Sequence, residues 1–532
     1  MSEFFLELFS EEIPAGLQKN LRERLLEDFQ KFFEKNSIKS KKNFSLSSPN
    51  RLVLVFENLE KQIKIKSEEI KGPKIDSPNQ AIEGFVRSNK IDKKDLYQRK
   101  TEKGQFYFYK TKSNGQNILL ATSIVLISIL SWQSALCVII LTGITTLLQD
   151  SKTKAWLGIF LHLIFIVYAA FGKKELTLFN VGLSYYSLQN IGVFLLCIRH
   201  KSQKYSFKDL LFANAFFPKF TSGPILLPKE IKALEYNSEF NSKNFNCGIN
   251  RIVFGFFKKI VLADNLHIIT NTVFDDKEVG FKGVTILLAS LLFTVEMYLN
   301  FSAYTDIILG FGKLFNVNLK ENFKIPLRSS SVSEYWKKTH ISLIDWLTQN
   351  FFYPISFQLR KNPKYGIVIG ILTTFILSGL WHGLYAGFLI WGLLNGIYLS
   401  TEFLLKKLGI HMHKLIGWIL TILFISFSNL FFVAKSWENS LNFIYQIFNY
   451  ESWSFNWESD VFAVLGNGWY LEQQFELGMI LILIFLFLLF EKALEKASKS
   501  TNLSITFISI LTLLCFLFGS FNDGAEFIYM QF

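Results

Sequence analysis

Cysteine is scarce in this 532-residue chain: four residues, at positions 137, 197, 247 and 515, with no C-x-x-C spacing. Three of them lie inside apolar runs, which argues against a disulfide framework or a zinc site. A secretory leader is also lacking. Met1–Asn20 carries Glu3, Glu7, Glu11 and Glu12 and no apolar core, so no signal peptide is expected. Charge is the third scarcity, and it is local. Residues 1–113 hold 23 Lys+Arg and 17 Asp+Glu, whereas the remaining 419 hold only 33 and 26. Two parts with such different charge densities are built for different solvents.

What the chain has in quantity is apolar and aromatic surface: half of its residues are apolar, 57 of them Phe. Its length suits a polytopic membrane protein better than one soluble domain. The net charge of +13 divides almost evenly between the two parts. In the first it is compatible with RNA contact, although a lysine-rich, low-GC proteome produces it too. In the second, Lys and Arg sit between apolar runs, as membrane-flanking cations do, and in nearly every loop, so positive-inside counting does not fix the orientation.

In the first part, residues 3–9 (EFFLELF) alternate as a strand does. Pro14 opens an amphipathic helix to about Lys35, with Leu17, Leu21, Leu25, Phe29, Phe32 and Phe33 on one face. Strand material follows at 44–57, broken at Ser48-Pro49-Asn50, then a short helix near 78–89 and a strand at 105–111. This predicts a small soluble α+β unit over residues 1–113. From Ile118 the texture changes to apolar runs, among them 209–227, 284–299, 301–315, 341–358 and 365–381. A helix needs about 20 apolar residues to cross the hydrocarbon, so about 9–11 spans are expected. The 209–227 run holds Pro218, Gly223 and Pro224 and predicts a broken or re-entrant segment. The expected fold is mostly α: a transmembrane helix bundle preceded by the α+β unit.

Two stretches carry the chemistry. In SEYWKKTHISLIDWLTQNFFYP (333–354), Trp336, Lys337, Lys338 and His340 lead into an apolar segment. In FILSGLWHGLYAGFLIW (375–391), His382 stands between Trp381 and Gly383. An ionisable group at membrane depth is costly without a role or a partner. Imidazole can take the proton of a hydroxyl, as general-base acyl transfer requires. The structural alternative is a buried histidine hydrogen-bonded between helices, the preferred reading for His162 in AWLGIFLHLIFIV. His411-x-His413 resembles a metal pair only superficially, since no Cys or acid is near, and no metal site is expected. Lys337 and Lys338 read as snorkelling anchors rather than phosphate contacts.

These residues also carry a resemblance. FSAYTD (301–306), ENFKIPLRSSSVSEYWKKTHIS (321–342) and SGLWHG (378–383) resemble successive motifs of the membrane-bound O-acyltransferase family. The likeness is to its bacterial branch that O-acetylates alginate and other exported polysaccharides. VGLSYYSLQNI (181–191) and FFPKFTSGPI (216–225) resemble that branch's upstream motifs in order, and the similar region runs over 117–532, loosely in its tail. The resemblance implies a ring of tilted helices around a thinned core, with a tunnel joining the two faces. It implies His382 as the general base and His340 as its support or as part of the acyl route. Tunnel-wall candidates for substrate binding are Trp336, Trp381, Tyr304 and Asp306, the last either a pocket acceptor or a paired buried acid. Where the family usually has Trp before its first histidine this chain has Thr339; for Arg-Asp it has Thr348-Gln349, for an Asp it has Asn300, and for Ala-Asn-Trp it has Leu384-Tyr385-Ala386. The acceptor is therefore left open.

Residues 1–113 resemble a different family. EFFLELFSEEIP, SPNRLVLVFENL, IKGPKI, AIEGFVRSN and EKGQFYFYKTKSNG are similar, in order and spacing, to the N-terminus of the bacterial glycyl-tRNA synthetase β subunit. That family's adenylation lies on the α subunit and its tRNA contacts lie later in β, so the resemblance implies no glycine–tRNA ligase activity here. Residual binding of an α subunit or tRNA through 1–113 is the most it would retain. The acyltransferase-like part begins about one helix late. A deletion joining neighbouring genes, or an assembly error, accounts for both truncations, and a selected fusion accounts for neither.

The resulting expectation is an O-acyltransferase of the bacterial cytoplasmic membrane, with residues 1–113 in the cytoplasm. It would bind no resident cofactor, take an acyl donor such as acetyl-CoA as substrate, and acylate the hydroxyls of an exported glycan among membrane lipid. The alternative is an acyl-translocating component that hands the group to a separate extracytoplasmic esterase-like transferase, a plausible partner under either reading. A third reading is the synthetase fragment fused by accident.

Overall fold

The computed structural model describes residues 4–9, 15–35, 42–48, 51–57, 69–74, 77, 79–88, 96–101, 104–110, 115–171, 181–199, 204–232, 234, 241–275, 283–410, 412–434, 436–449 and 471–521. The chain divides into two compact units, Met1–Asn114 and Gly115–Phe532.

The first unit runs β1 (Phe4–Phe9), α1 (Ala15–Lys35), β2 (Lys42–Ser48), β3 (Arg51–Glu57), β4 (Glu69–Lys74), α2 (Asn79–Ser88), β5 (Leu96–Thr101) and β6 (Gly104–Lys110). Two antiparallel three-stranded sheets form, ordered β1-β3-β2 and β4-β6-β5. In the first, Phe4 pairs with Phe56 and Ser48 with Arg51, which puts β3, apolar from Leu52 to Phe56, at the centre. Leu54 and Phe56 are buried there against Phe33 of α1, whose ring meets that of Phe56 edge-on at 4.7 Å. The expected apolar face of α1 is buried only in part. Leu17 and Leu21 are 52% and 43% exposed, while Leu25 and Phe29 join the core. The sequence reading misses β4 and β5, EIKGPK and LYQRKT. Both are charged edge strands recruited by the aromatic centre strand β6, a composition that edges favour and that hides the alternating signal.

The second unit is helical: α3 (Gly115–Leu130), α4 (Trp132–Leu148), α5 (Lys152–Phe171), α6 (Leu183–Arg199), α7 (Phe207–Ala215), α8 (Pro228–Lys232), α9 (Ser242–Phe256), α10 (Asp264–Asp275), α11 (Gly283–Leu314), α12 (Val332–Lys338), α13 (Ile341–Leu347), α14 (Tyr353–Gln358), α15 (Pro363–His382), α16 (Ala386–Lys407), α17 (Lys414–Val433), α18 (Trp437–Phe448), α19 (Leu471–Ser498) and α20 (Ile505–Phe518). Among the described residues, α11, α15, α16 and α17 are long and apolar enough to cross a membrane. The 209–227 run is broken: α7 ends at Ala215, a single 3-10 turn covers Phe217–Lys219, and a buried irregular stretch leads to α8. Two other runs are drawn differently from the sequence reading. Residues 284–299 and 301–315 form the single helix α11, because a buried Asn300 interrupts the apolar run but not the backbone ladder. Run 341–358 is instead divided by a π-helical turn at Thr348–Phe352, and another at Phe257–Ala263 joins α9 to α10.

At 32 residues α11 is about 48 Å long, longer than the ~30 Å hydrocarbon layer. It packs against α9, α10, α17 and α18 and forms the axis of the unit. Helices α15 and α16 approach each other through glycine. A β-carbon at Gly379 would lie 2.3 Å from the Phe388 carbonyl oxygen, and one at Gly392 the same distance from that of Phe375. With no hydrophobic drive between helices in lipid, such close backbone packing is what joins them. Gly392→Val is expected to push the pair apart, at a cost on the order of 1–3 kcal/mol, and to lower the melting temperature of the protein in detergent. An unchanged melting temperature would show that the contact is dispensable.

Candidate active site

The two histidines of the motifs are held by different backbone devices. His340 lies between α12 and α13 in the left-handed region, at φ 45°. Few non-glycine residues adopt that conformation, and the surroundings must over-determine it. Here the 322–324 segment does so. The backbone N–H of Lys324 donates to the Lys338 carbonyl at 3.0 Å, that of Ile341 to the Asn322 carbonyl at 3.0 Å, and that of Ser342 to Asn322 Oδ1 at 2.9 Å. The His340 ring is buried edge-on to Phe301 (4.7 Å) and Trp381 (5.9 Å) and parallel to Tyr185 at 6.4 Å.

His382 is the last residue of α15. Gly383 follows at φ 150° and ψ 173°, a conformation essentially reserved for glycine, and turns the chain into α16. The imidazole is 4% exposed, within an aromatic box of Trp381 (4.9 Å), Phe432 (5.1 Å), Trp391 (5.3 Å) and Phe388 (6.1 Å). Both histidines line one cavity, together with Trp336, Thr339, Ser378, Trp391, Asn429 and Phe432.

Asparagines fix the indoles of this cavity. Trp336 Nε1–H donates to Asn395 Oδ1 at 3.0 Å and Trp391 Nε1–H to Asn429 Oδ1 at 3.1 Å. Asn395 Nδ2 donates in turn to the Trp391 carbonyl at 2.8 Å, and Asn429 Nδ2 to Thr294 Oγ1 of α11 at 3.1 Å. The rings of Trp336 and Trp391 meet edge-on at 5.5 Å. Buried amides that are satisfied in this way rigidify the walls they hold.

Of the six residues singled out in the sequence, His340, His382 and Trp336 line the cavity, and Trp381 packs on both histidine rings. Tyr304 and Asp306 lie elsewhere. The Tyr304 hydroxyl is engaged by Thr221 and by the Ser222 N–H at 3.1 Å, tying the broken segment to α11. Asp306 accepts from Arg251 Nε at 2.7 Å and pairs with Lys258 Nζ at 2.6 Å; Arg251 also forks onto both oxygens of Glu321. That cluster lines a second, charged cavity, and Tyr298 and Phe323 line both. The sequence reading misses Tyr185, Phe301, Asn395 and Asn429, whose contribution is three-dimensional; only Tyr185 and Phe301 fall inside its motifs. His162 is an interhelical residue, with Nδ1–H donating to the Gly158 carbonyl at 2.9 Å and Nε2 facing Asn190 Nδ2 at 3.3 Å. Lys338 pairs with Glu334 at 2.7 Å. His413 caps α17, accepting from the Leu415 N–H, while His411 lies outside the described residues.

Residues 115–437 match the family model described as MBOAT, membrane-bound O-acyltransferase family. The chain belongs to that family. Within it, the chain is 31% identical over 242 residues to the "Peptidoglycan O-acetyltransferase" of Helicobacter pylori, covering 44% of this chain and 45% of that protein. It is 28% identical over 285 residues to the "Probable alginate O-acetylase AlgI" of Pseudomonas syringae pv. tomato, covering 52% and 53%. The chain thus spans about half the length of these curated relatives. Residues 4–133 match the family model of the glycyl-tRNA synthetase beta subunit. The "Glycine--tRNA ligase beta subunit" of Rickettsia typhi is 42% identical over 118 residues, which cover 22% of this chain and 18% of that subunit. The synthetase-like match runs past the 113 boundary and overlaps the acyltransferase match over residues 115–133.

Asp306 stands between two buried cations. Its replacement by Ala leaves Lys258 uncompensated while Arg251 keeps Glu321, and a broken buried pair costs about 3–5 kcal/mol. Thermal unfolding of Asp306→Ala in detergent is expected to show that loss, and a melting temperature equal to wild type would rule out the pairing as a structural element.

Proposed function

We propose that this membrane-bound O-acyltransferase family member moves an acyl group, acetyl in the first instance, from a thioester donor to hydroxyls of an exported or cell-envelope glycan. The observation that carries the reading is the single aromatic cavity lined by both His340 and His382. His382 acts as the general base. It takes the proton of the acceptor hydroxyl as that oxygen attacks the thioester carbonyl; the C–O bond forms, the C–S bond breaks, and the proton passes to the leaving thiolate. General-base assistance of this kind is worth about 10²–10⁴ in rate, and a dry, aromatic surround strengthens each polar contact made during the transfer. His340, fixed in its left-handed turn, supports the acyl group across the cavity, with Trp336 and Trp381 as walls.

The relatives named for O-acetylation of peptidoglycan and alginate support acetyl as the group and a glycan as the class of acceptor. The reading places the enzyme in a bacterial cytoplasmic membrane, its first unit in the cytoplasm, with an acyl-CoA as substrate and a separate extracytoplasmic transferase as partner. It places no ligase chemistry in the first unit, which covers 18% of the Rickettsia subunit. His382→Ala is expected to lower acetyl transfer from labelled acetyl-CoA to glycan at least ~100-fold, with protein and membrane insertion unchanged. Transfer within threefold of wild type would remove His382 from the chemistry.

A further inference from the structure

Among the described residues of the helical unit, four cations are buried: Lys219, Arg251, Lys258 and Lys259. Three have carboxylates. Arg251 binds Asp306 and Glu321, Lys258 binds Asp306, and Lys259 binds Asp264. Lys219 is 6% exposed, and among the described residues no carboxylate lies within ion-pair distance of it. Its one hydrogen bond there is to a neutral group, Gln189 Oε1, at 3.2 Å. An ammonium has three N–H donors, and a buried charge without a counter-charge is strongly disfavoured.

The Gln189 contact is imposed by a directional chain. Gln189 Oε1 also accepts from the Leu226 backbone N–H at 3.2 Å, which fixes the amide with its oxygen toward Lys219. Gln189 Nε2 donates to Asn214 Oδ1 at 2.6 Å, Asn214 Nδ2 to Asn190 Oδ1 at 3.0 Å, and Asn190 Nδ2 to His162 Nε2 at 3.3 Å. The chain closes where His162 Nδ1–H meets the Gly158 carbonyl. A donor can meet that oxygen only if Nδ1 carries the proton, so every amide in the row points the same way. The row holds the ammonium in place and supplies no negative charge. Phe220, the residue after Lys219, stacks on Tyr186 at 5.7 Å, and the buried Tyr186 hydroxyl has no hydrogen-bond partner among the described residues.

The position relates to the histidine cavity. Tyr185, whose ring lies parallel to that of His340, precedes Gln189 by one turn of α6, where β-carbons are ~5–6 Å apart. We propose that Lys219 is an anion-binding residue: it receives a carboxylate or phosphate oxygen of a ligand entering beside the broken segment 216–227, with the Tyr186 hydroxyl as a second donor. Naming that anion as part of a substrate rests on the acyl-transfer reading; the binding itself does not.

The test uses the purified full chain in detergent. Thermal stabilisation is titrated with sodium phosphate and with sodium glucuronate at constant ionic strength, for wild type, Lys219→Met and Lys219→Arg. At least one anion is expected to stabilise wild type and the Arg variant saturably, with at least tenfold weaker binding to the Met variant. Phosphate alone would assign the site to a phosphorylated ligand such as the donor, glucuronate alone to an acidic glycan, and both to an oxyanion of either source. Stabilisation of wild type by neither anion, or an unchanged response of Lys219→Met, would overturn the proposal. Should the Met variant not fold, Lys219→Gln takes its place under the same criteria. Acetyl transfer by wild type is measured alongside. Anion binding without transfer would sink the transferase reading and leave the site standing, and transfer without anion binding would do the reverse.

Discussion

A polar group inside the hydrocarbon layer has no water to turn to, and the helical unit is organised around that constraint. Its buried amides and hydroxyls bond one another across helices: Asn429 to Thr294, Thr294 to Ser426, Asn395 to Ser428. These bonds join α11, α16 and α17, and through Asn395 and Asn429 they orient the Trp336 and Trp391 indoles of the histidine cavity. Arg251 and Lys258 obey the same rule, with Asp306 shared between them and tied through Arg251 to Glu321. One wall of the aromatic box, Trp391, is therefore set by the polar framework behind it.

Within that frame the two histidines depend on opposite kinds of backbone freedom. Gly383 supplies a conformation that no side chain tolerates well, so the chain can turn sharply just after His382. His340 occupies an unfavourable conformation itself and is held there by hydrogen bonds to Asn322 and Lys324. Strain kept at a residue that faces a cavity is a common mark of a working site. The charged cavity on the far side of Tyr298 and Phe323 keeps ionic groups close to the histidines while leaving them out of the aromatic box.

Much of this was legible in the sequence, for physical reasons that differ by element. The first unit's strand β1 and helix α1 follow from alternation and from a 3.6-residue stripe, and β3 from its apolar run. The charged strands β4 and β5 do not, because an edge strand gains its place from its neighbour. The break at 209–227 follows from its prolines and glycine, whereas the continuity of α11 through Asn300 depends on packing that sequence does not display. Motif order leads to His340, His382 and Trp336. Tyr304 and Asp306 sit in equally motif-like surroundings, yet Thr221, Arg251 and Lys258 draw them away. Asn395 and Asn429 leave no signal in one sequence, since an asparagine that orients a tryptophan looks like any other asparagine.

The central claim is that acyl transfer takes place in the cavity shared by His340 and His382. The most direct measurement is a structure of the full chain bound to a non-hydrolysable thioether analogue of acetyl-CoA. The account predicts the reacting carbon in that cavity, with an acceptor oxygen able to stand within about 3.5 Å of both the carbon and the His382 ring. An analogue seated in the charged cavity beside Arg251 and Lys258, with the histidine cavity empty, would contradict it.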